Sequence, residues 1–321
     1  VTALQSPPEP AGTTDPSPSP RRGRRRATAL APRDKLVLGL MLGIPSLLHL
    51  VLVWVPAMGS IALSFSSWDG IGGFEDIDWV GFQNYVDIFT RYPRFWPAVQ
   101  HNLIWLLFLI VVPTVAGLLL AVLLDRQLRF GRLYQSALYL PMVLSLALVG
   151  FIWQLIYQPE QGLLNNVLGT ASSDPVNWLG DPDINLYAVL VAAGWRHTGY
   201  IMLLYLAGLK AVDPALKEAA ALDGANARQT FFQVTFPVLK PVNVVVLVVT
   251  VIEGLRAFDI VYVINKGRNG LELLSVLVTD NIIGESSRIG WGSALAVVLL
   301  LISLGFIITY LFQVFREEER A

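Results

Sequence analysis

Apolar residues in this chain gather into long runs, and the short segments between them hold nearly all of the charge. A helix rises about 1.5 Å per residue, so about 20 apolar residues cross a hydrocarbon core of about 30 Å. On that measure the pattern predicts six spanning helices, at Leu36–Leu63, Leu103–Leu124, Leu138–Tyr157, Leu186–Leu209, Val242–Ile264 and Trp291–Phe315. Helices follow because their backbone groups bond within the segment, where no water is available. The predicted fold class is an all-α membrane protein. Its divisions are a tail at 1–34, a first span with its following loop at 35–98, a main membrane domain at 99–315 and a second tail at 316–321.

Composition agrees. The 321 residues are 54% hydrophobic and 15% charged, too little charge to cover a soluble surface of this size. With no cysteine, disulfides, thiolate metal sites and cysteine nucleophiles are excluded. His49 and His101 stand alone, without ligand-spaced partners, so no metal site is predicted. Lys and Arg set the direction. The first tail, Arg126, Arg129, Arg132, the 210–240 segment (Lys210, Lys217, Arg228, Lys240), Arg316 and Arg320 share one side. The other side carries only Arg91, Arg94, Lys266, Arg268 and Arg288. The positive-inside rule then puts both termini and the 210–240 segment in the cytoplasm. The outer loops are acidic and aromatic (Trp68, Asp69, Glu75, Asp76, Asp78, Trp79), and Trp68, Trp105 and Trp291 suit an interfacial belt. The tail at 1–34, rich in Pro, Ser and Thr, ends in Arg21, Arg22, Arg24, Arg25 and Arg26 and is expected to be disordered. Beside a first span this basic run reads as topogenic and lipid-contacting rather than nucleic-acid-binding. The apolar segment after it is too long for a signal core and reads as a retained helix.

The 210–240 segment is long for a link between spans, and its chemistry is helical. Asp213 can cap a helix opened by Pro214, and residues 214–222 have high helix propensity. Gly224 supplies a left-handed turn, Asn226 can cap a second helix running towards Phe236, and Pro237 is expected to stop it. Two short helices then meet at a glycine corner. Ala219, Ala220 and Ala221 give a small smooth face for docking in a partner's cleft. Glu218, Asp223 and Arg228 can fix register by charge, and Leu222, Phe231 and Phe232 are expected to pack the loop against its own spans. The alternative is an interfacial amphipathic helix with no partner.

The run Glu218-Ala219-Ala220, then Gly224, then Val234-x-Phe236-Pro237 resembles the cytoplasmic coupling loop of ATP-binding-cassette (ABC) importer permeases, written E-A-A-x3-G-x9-I-x-L-P. Further fragments, in order, resemble the carbohydrate-uptake permeases of the maltose and glycerol-phosphate type. They are Trp79-Val80-Gly81-Phe82-Gln83-Asn84-Tyr85, Arg94-Phe95-Trp96 with Asn102, Trp153 to Asn165, Ala207-Gly208-Leu209, Phe258-Asp259-Ile260-Val261-Tyr262 and Gly290 to Ala294. Asn265 to Gly270 departs from that family's T-x-G-G-P. The resemblance implies the type I ABC importer transmembrane fold in a prokaryotic plasma (inner) membrane. It implies a pore half without chemistry of its own, working with a second homologous permease and an extracytoplasmic solute-binding protein. Two ATPase subunits would bind ATP and Mg and dock on the 210–240 loop. The chain contains no G-x-x-x-x-G-K-[ST] loop for holding nucleotide itself. The implied solute is a sugar or sugar derivative.

Charges inside the predicted spans point to a solute path. Glu253, Arg256 and Asp259 fall at i, i+3 spacing on one face of the predicted fifth span, so that face must meet protein or a wet cavity. It reads either as solute lining near the midplane or as a salt-bridge network between helices. Trp195, Arg196, His197, Thr198 and Tyr200 in the fourth span, and Phe151, Trp153, Gln154 and Tyr157 in the third, are candidates to flank the same path. An ion-coupled secondary transporter also accounts for intramembrane charge, but no internal repeat is evident. A membrane enzyme lacks a catalytic constellation here.

Overall fold

The computed structural model describes residues 31–126, 129–284 and 287–318. The predicted disordered tail to residue 30, including Arg21 to Arg26, and Arg320 lie outside the described residues. The chain divides into two compact units, Val1–Val55 and Pro56–Ala321.

In the first unit, α1 (Pro32–His49) opens with proline at a first-turn position, where a missing N–H costs nothing. The helix therefore takes in the last three residues of the predicted tail. A π-helical turn, Leu50–Trp54, continues it. None of its side chains is buried, and an apolar surface all round a helix is what lipid or a partner covers.

In the second unit, α2 (Val55–Leu63) leads into a loop closed by an isolated antiparallel bridge between Ser66 and Trp79. Buried Asn84, on α3 (Gln83–Arg91), fixes that loop. Its Nδ2 donates to Ser64 O at 2.9 Å and Ser66 O at 2.7 Å. Next comes α4 (Phe95–Asp125), which is 31 residues long and begins well before the predicted Leu103. It therefore carries Trp105 into the core at 2% exposure rather than to an interfacial belt. Pro113 lies inside α4 and cannot donate to Leu109 O. The Thr114 hydroxyl donates there instead, at 3.0 Å, and the helix continues.

The predicted third span is not one helix. α5 (Gly131–Val143) and α6 (Leu146–Ile156) meet at 103°. Ser145 restarts the chain as an N-cap, its hydroxyl accepting from Leu148 N at 3.2 Å. Beyond them, α7 (Leu163–Leu168) precedes α8 (Asn185–Ala211), which matches the predicted fourth span. Fully buried Asn165 organises the loop between. Its Nδ2 donates to Pro159 O (2.9 Å) and Val176 O (2.8 Å), and its Oδ1 accepts from Trp178 Nε1 (2.9 Å) and Thr170 Oγ1 (3.2 Å). That uses the full capacity of the amide. Asn165→Leu strands four polar partners. The expected cost is about 2–4 kcal/mol, read as a lower unfolding midpoint in detergent and new protease cleavage between 159 and 178.

After α8 the chain turns through 69° into α9 (Pro214–Leu222). It continues through α10 (Ala227–Gln229), a π-helical stretch at Thr230–Thr235, and α11 (Phe236–Val238). The predicted fifth span is also broken. α12 (Lys240–Leu255) stops, and α13 (Asp259–Asn265) restarts after Arg256–Phe258. The chain ends with α14 (Leu274–Ile282) and α15 (Ile289–Glu318). No strand occurs among the described residues beyond the one bridge. Pro32–Leu63, Phe95–Asp125 and Ile289–Thr309 are each long and apolar enough to cross a membrane. Counting each bent pair as one span raises the number to five.

The axis of the core is α4, which contributes to each buried cluster: Phe95 and Ala98 against α14 and α15, Trp105 and Leu109 against α8 and α13, Leu106 against α12, Ala121 and Leu124 against the C-terminal half of α8. Gly117 permits the close approach of α4 and α8. A Cβ there would lie 2.8 Å from Ile201 Cγ2 and 2.9 Å from Met202 N.

Candidate solute path and coupling elbow

Two groups of predicted residues come together in the second unit. The first is the elbow. Asp213 Oδ1 accepts from Ala215 N at 2.9 Å and opens α9, with Pro214 in the first turn. α9 ends as the sequence predicts. Gly224 has φ of 81°, its N–H reaches Ala221 O (3.1 Å), and Ala225 N–H reaches Ala220 O (2.9 Å). This paired closure satisfies carbonyls that a helix end otherwise leaves open. Asn226 then exchanges hydrogen bonds with Gln229 in a capping box, at 2.9 and 3.0 Å.

Three expectations for the elbow change. Pro237 does not stop the second helix. It sits in the first turn of α11, after the π-helical stretch has widened the ladder, and helix persists to Val238. Leu222 is 89% exposed and Phe232 58%, so neither packs the loop onto its own spans; Phe231 is half-buried. Of the alanines, Ala220 is buried, whereas Ala219 and Ala221 are exposed beside exposed Glu218 and Asp223. Arg228 lies 6.0 Å from the centre of the Phe232 ring.

The second group surrounds a cavity of about 180 Å³ lined by Trp105 and Leu109 (α4), Ala193, Arg196 and His197 (α8), Glu253 (α12) and the break Arg256–Asp259. Glu253 and Arg256 do not pair along one helix, because the helix ends between them and Asp259. Glu253 Oε1 instead accepts from Arg196 Nη1 of α8 at 3.1 Å. Below that tie, buried His197 Nε2 lies 3.0 Å from Thr250 Oγ1. Two polar rungs thus join α8 to α12. The break survives in an apolar setting because the freed carbonyl of Ala257 accepts from the Ser275 hydroxyl of α14. Phe258, at the start of α13, stacks on Tyr262 one turn on, with ring centres 4.9 Å apart.

Arg256 and Asp259 are exposed and have no ion-pair partner among the described residues. They border both this cavity and a second one of about 340 Å³ with Ser275 and Thr279. Arg196 Nε is buried and finds no acceptor. So Arg196, Glu253, Arg256 and Asp259 gather as predicted, by a different geometry.

Trp153, Trp195 and Tyr200 do not line the cavity. Trp153 stands between Trp195 (5.9 Å) and Tyr157 (5.1 Å) in an aromatic ladder, and Tyr200 packs against the cluster of Ala121, Leu124 and the C-terminal half of α8. Gln154 and Tyr157 are structural: Gln154 Nε2 donates to Val263 O and Ile264 O of α13, and Tyr157 OH to Ala188 O. The residues the sequence missed are Trp105 and Phe258. Phe258 belonged to a recognisable Phe-Asp pair whose role as a helix restart only Asp259, an acid in a first turn, could have signalled.

Comparison with known proteins agrees with this architecture. The sequence profile of the family described as "Binding-protein-dependent transport system inner membrane component" matches residues 81–318. The xylose/arabinose import permease of Haloferax volcanii is 33% identical over 279 residues, covering 86% of this chain and 87% of that one. The trehalose/maltose transport system permease of Thermococcus litoralis is 31% identical over 276 residues, covering 85% and 92%. Among solved structures, a chain of a bacterial ABC transporter for the acidic polysaccharide alginate superposes with a TM-score of 0.76 at 21% identity, covering 88% of this chain and 96% of that one. The fold is thus that of an ABC importer permease. This protein belongs to the binding-protein-dependent transport system inner membrane component family, as the permease subunit of an ABC importer.

Proposed function

We propose that this permease carries a sugar or sugar derivative inwards across a prokaryotic plasma membrane. It does so with six spans, both termini in the cytoplasm, a second homologous permease beside it and a solute-binding protein outside. Two ATPase subunits, which bind ATP and Mg, drive it by docking on the 210–240 loop. The observation that carries the reading is the elbow. α9 is capped at its start by the Asp213 side chain and closed at its end by backbone bonds from Gly224 and Ala225, and it leaves Glu218, Ala219, Ala221 and Asp223 exposed. A rigid body of this kind transmits displacement without deforming.

The cavity supports a polar, ring-shaped solute. Trp105 and Phe258 offer apolar faces, while Arg196 Nε, Arg256 and Asp259 offer hydrogen-bonding groups that the protein leaves open. The relatives named for xylose, arabinose, trehalose and maltose support a carbohydrate.

The absence of cysteine makes the test clean. Single cysteines at Ala219, Ala220 and Asp223 are to be cross-linked to the co-purified ATPase in membranes. Ala219→Cys and Asp223→Cys are expected to give adducts, and buried Ala220→Cys to give little. ATP-driven uptake with no adduct at any elbow position overturns the docking reading.

A further inference from the structure

We infer that Asp125, at the end of α4, is the positioning residue through which the elbow moves the solute cavity. This rests on the docking reading above. The Asp125 carboxylate bridges two helices that diverge by 69°: Oδ1 lies 2.8 Å from Lys210 Nζ at the end of α8, and Oδ2 lies 3.3 Å from Lys217 Nζ in the middle of α9. Lys210 Nζ also donates to Asp125 O at 3.2 Å, so one lysine meets both the side chain and the helix C-terminus, where positive charge is favoured.

Between α4 and the elbow lies a groove of about 380 Å³, with Val122 and Asp125 on one wall and Ala221, Ala225, Phe231 and Thr235 on the other. The Lys217–Asp125 pair spans it. Facing an open groove, the elbow can shift without tearing a packed core, and the ion pair then pulls on α4. Mended at Pro113 by Thr114, α4 runs as one helix from Asp125 to Trp105 and Leu109 in the cavity wall. Side-chain exposure of 57% at Lys210 and 37% at Lys217 makes these pairs minor contributors to stability. Their geometry, at the meeting point of three helices, is what calls for a role.

The test uses the full importer in proteoliposomes with its solute-binding protein. It reads uptake, stimulation of ATP hydrolysis by the loaded receptor, and the Ala219→Cys cross-link in the same preparation. Asp125→Asn is expected to lower uptake by roughly tenfold, within the usual span of coupling energies, and to abolish stimulation while the cross-link persists. Asp125→Glu restores most of both. Lys217→Met, on a half-exposed site that does not threaten folding, is expected to shift stimulation in the same direction by less, because Lys210 still holds the carboxylate.

Stimulation and uptake within about twofold of the parent in Asp125→Asn overturns the inference, far outside typical coupling. So does loss of the cross-link in Asp125→Asn alone, since Asp125 would then anchor docking rather than transmit motion. Absence of the cross-link in the parental Ala219→Cys protein is a separate result that removes the docking reading itself.

Discussion

Gly224→Val is expected to abolish solute-stimulated ATP hydrolysis and uptake while leaving the chain inserted and monodisperse in detergent. Gly224 sits at φ of 81°, and an added Cβ would meet nothing within 4 Å. The penalty is therefore conformational rather than steric crowding. A left-handed non-glycine residue costs about 1–2 kcal/mol, a roughly 5–30-fold loss of the native corner, and more for a β-branched one. The cost is too local to unfold the core, because the corner contributes to none of the buried clusters. It does release α9 from its closing bonds, Gly224 N to Ala221 O and Ala225 N to Ala220 O, and swings the exposed face of Glu218 and Ala219. Asn tolerates the left-handed region better than other non-glycine residues, so Gly224→Asn should keep a substantial share of the stimulation and Gly224→Ala should fall between. Full coupling in Gly224→Val would falsify the idea that a fixed elbow is needed.

Breaking the Arg196–Glu253 tie should have the second largest effect. Arg196→Met leaves Glu253 without its ion-pair partner, and an unpaired charge costs about 2.5–3.5 kcal/mol at full membrane depth. The Glu253 side chain keeps 38% exposure, so the loss is discounted to about 1–2 kcal/mol, a roughly tenfold drop in inserted protein or in uptake. The double variant Arg196→Met/Glu253→Gln removes both charges and should recover membrane levels. Uptake should stay low in the double variant, because Arg196 Nε and the cavity edge are then lost to the solute. Recovery of uptake together with membrane levels shows instead that the pair only holds α8 to α12. Apparent affinity separates the two roles further: a solute contact raises the half-saturating concentration, whereas a purely structural tie lowers the amount of active protein.

The caps and the glycine corner of the elbow were legible in the sequence; its packing was not. Its caps are formed by residues two to five positions apart: Asp213 with Ala215, Asn226 with Gln229, Gly224 and Ala225 with Ala221 and Ala220. Such bonds depend on near neighbours, and their residue types announce them. Pro237 misled because a wider helical register just before it, at Thr230–Thr235, absorbs the missing donor. Leu222 misled because apolar character was read as packing, whereas the side chain is exposed.

The cavity was legible only as a set of charges. Glu253, Arg256 and Asp259 look like one face under an uninterrupted helix, yet the fifth apolar run holds its break with a hydroxyl from Ser275, many residues away. No local signal encodes that bond.

From the sequence alone came the apolar runs, the elbow with its closures, and the gathering of charge within two of the apolar runs. All of these follow from periodicity, capping and the cost of charge in lipid, which act along the chain. The tertiary structure decided that Glu253 pairs with Arg196 rather than Arg256, that Trp105 is buried in the cavity wall, and that Asp125 reaches two lysines on diverging helices. Such choices depend on how helices rotate and bend against one another, and packing between distant segments sets those angles.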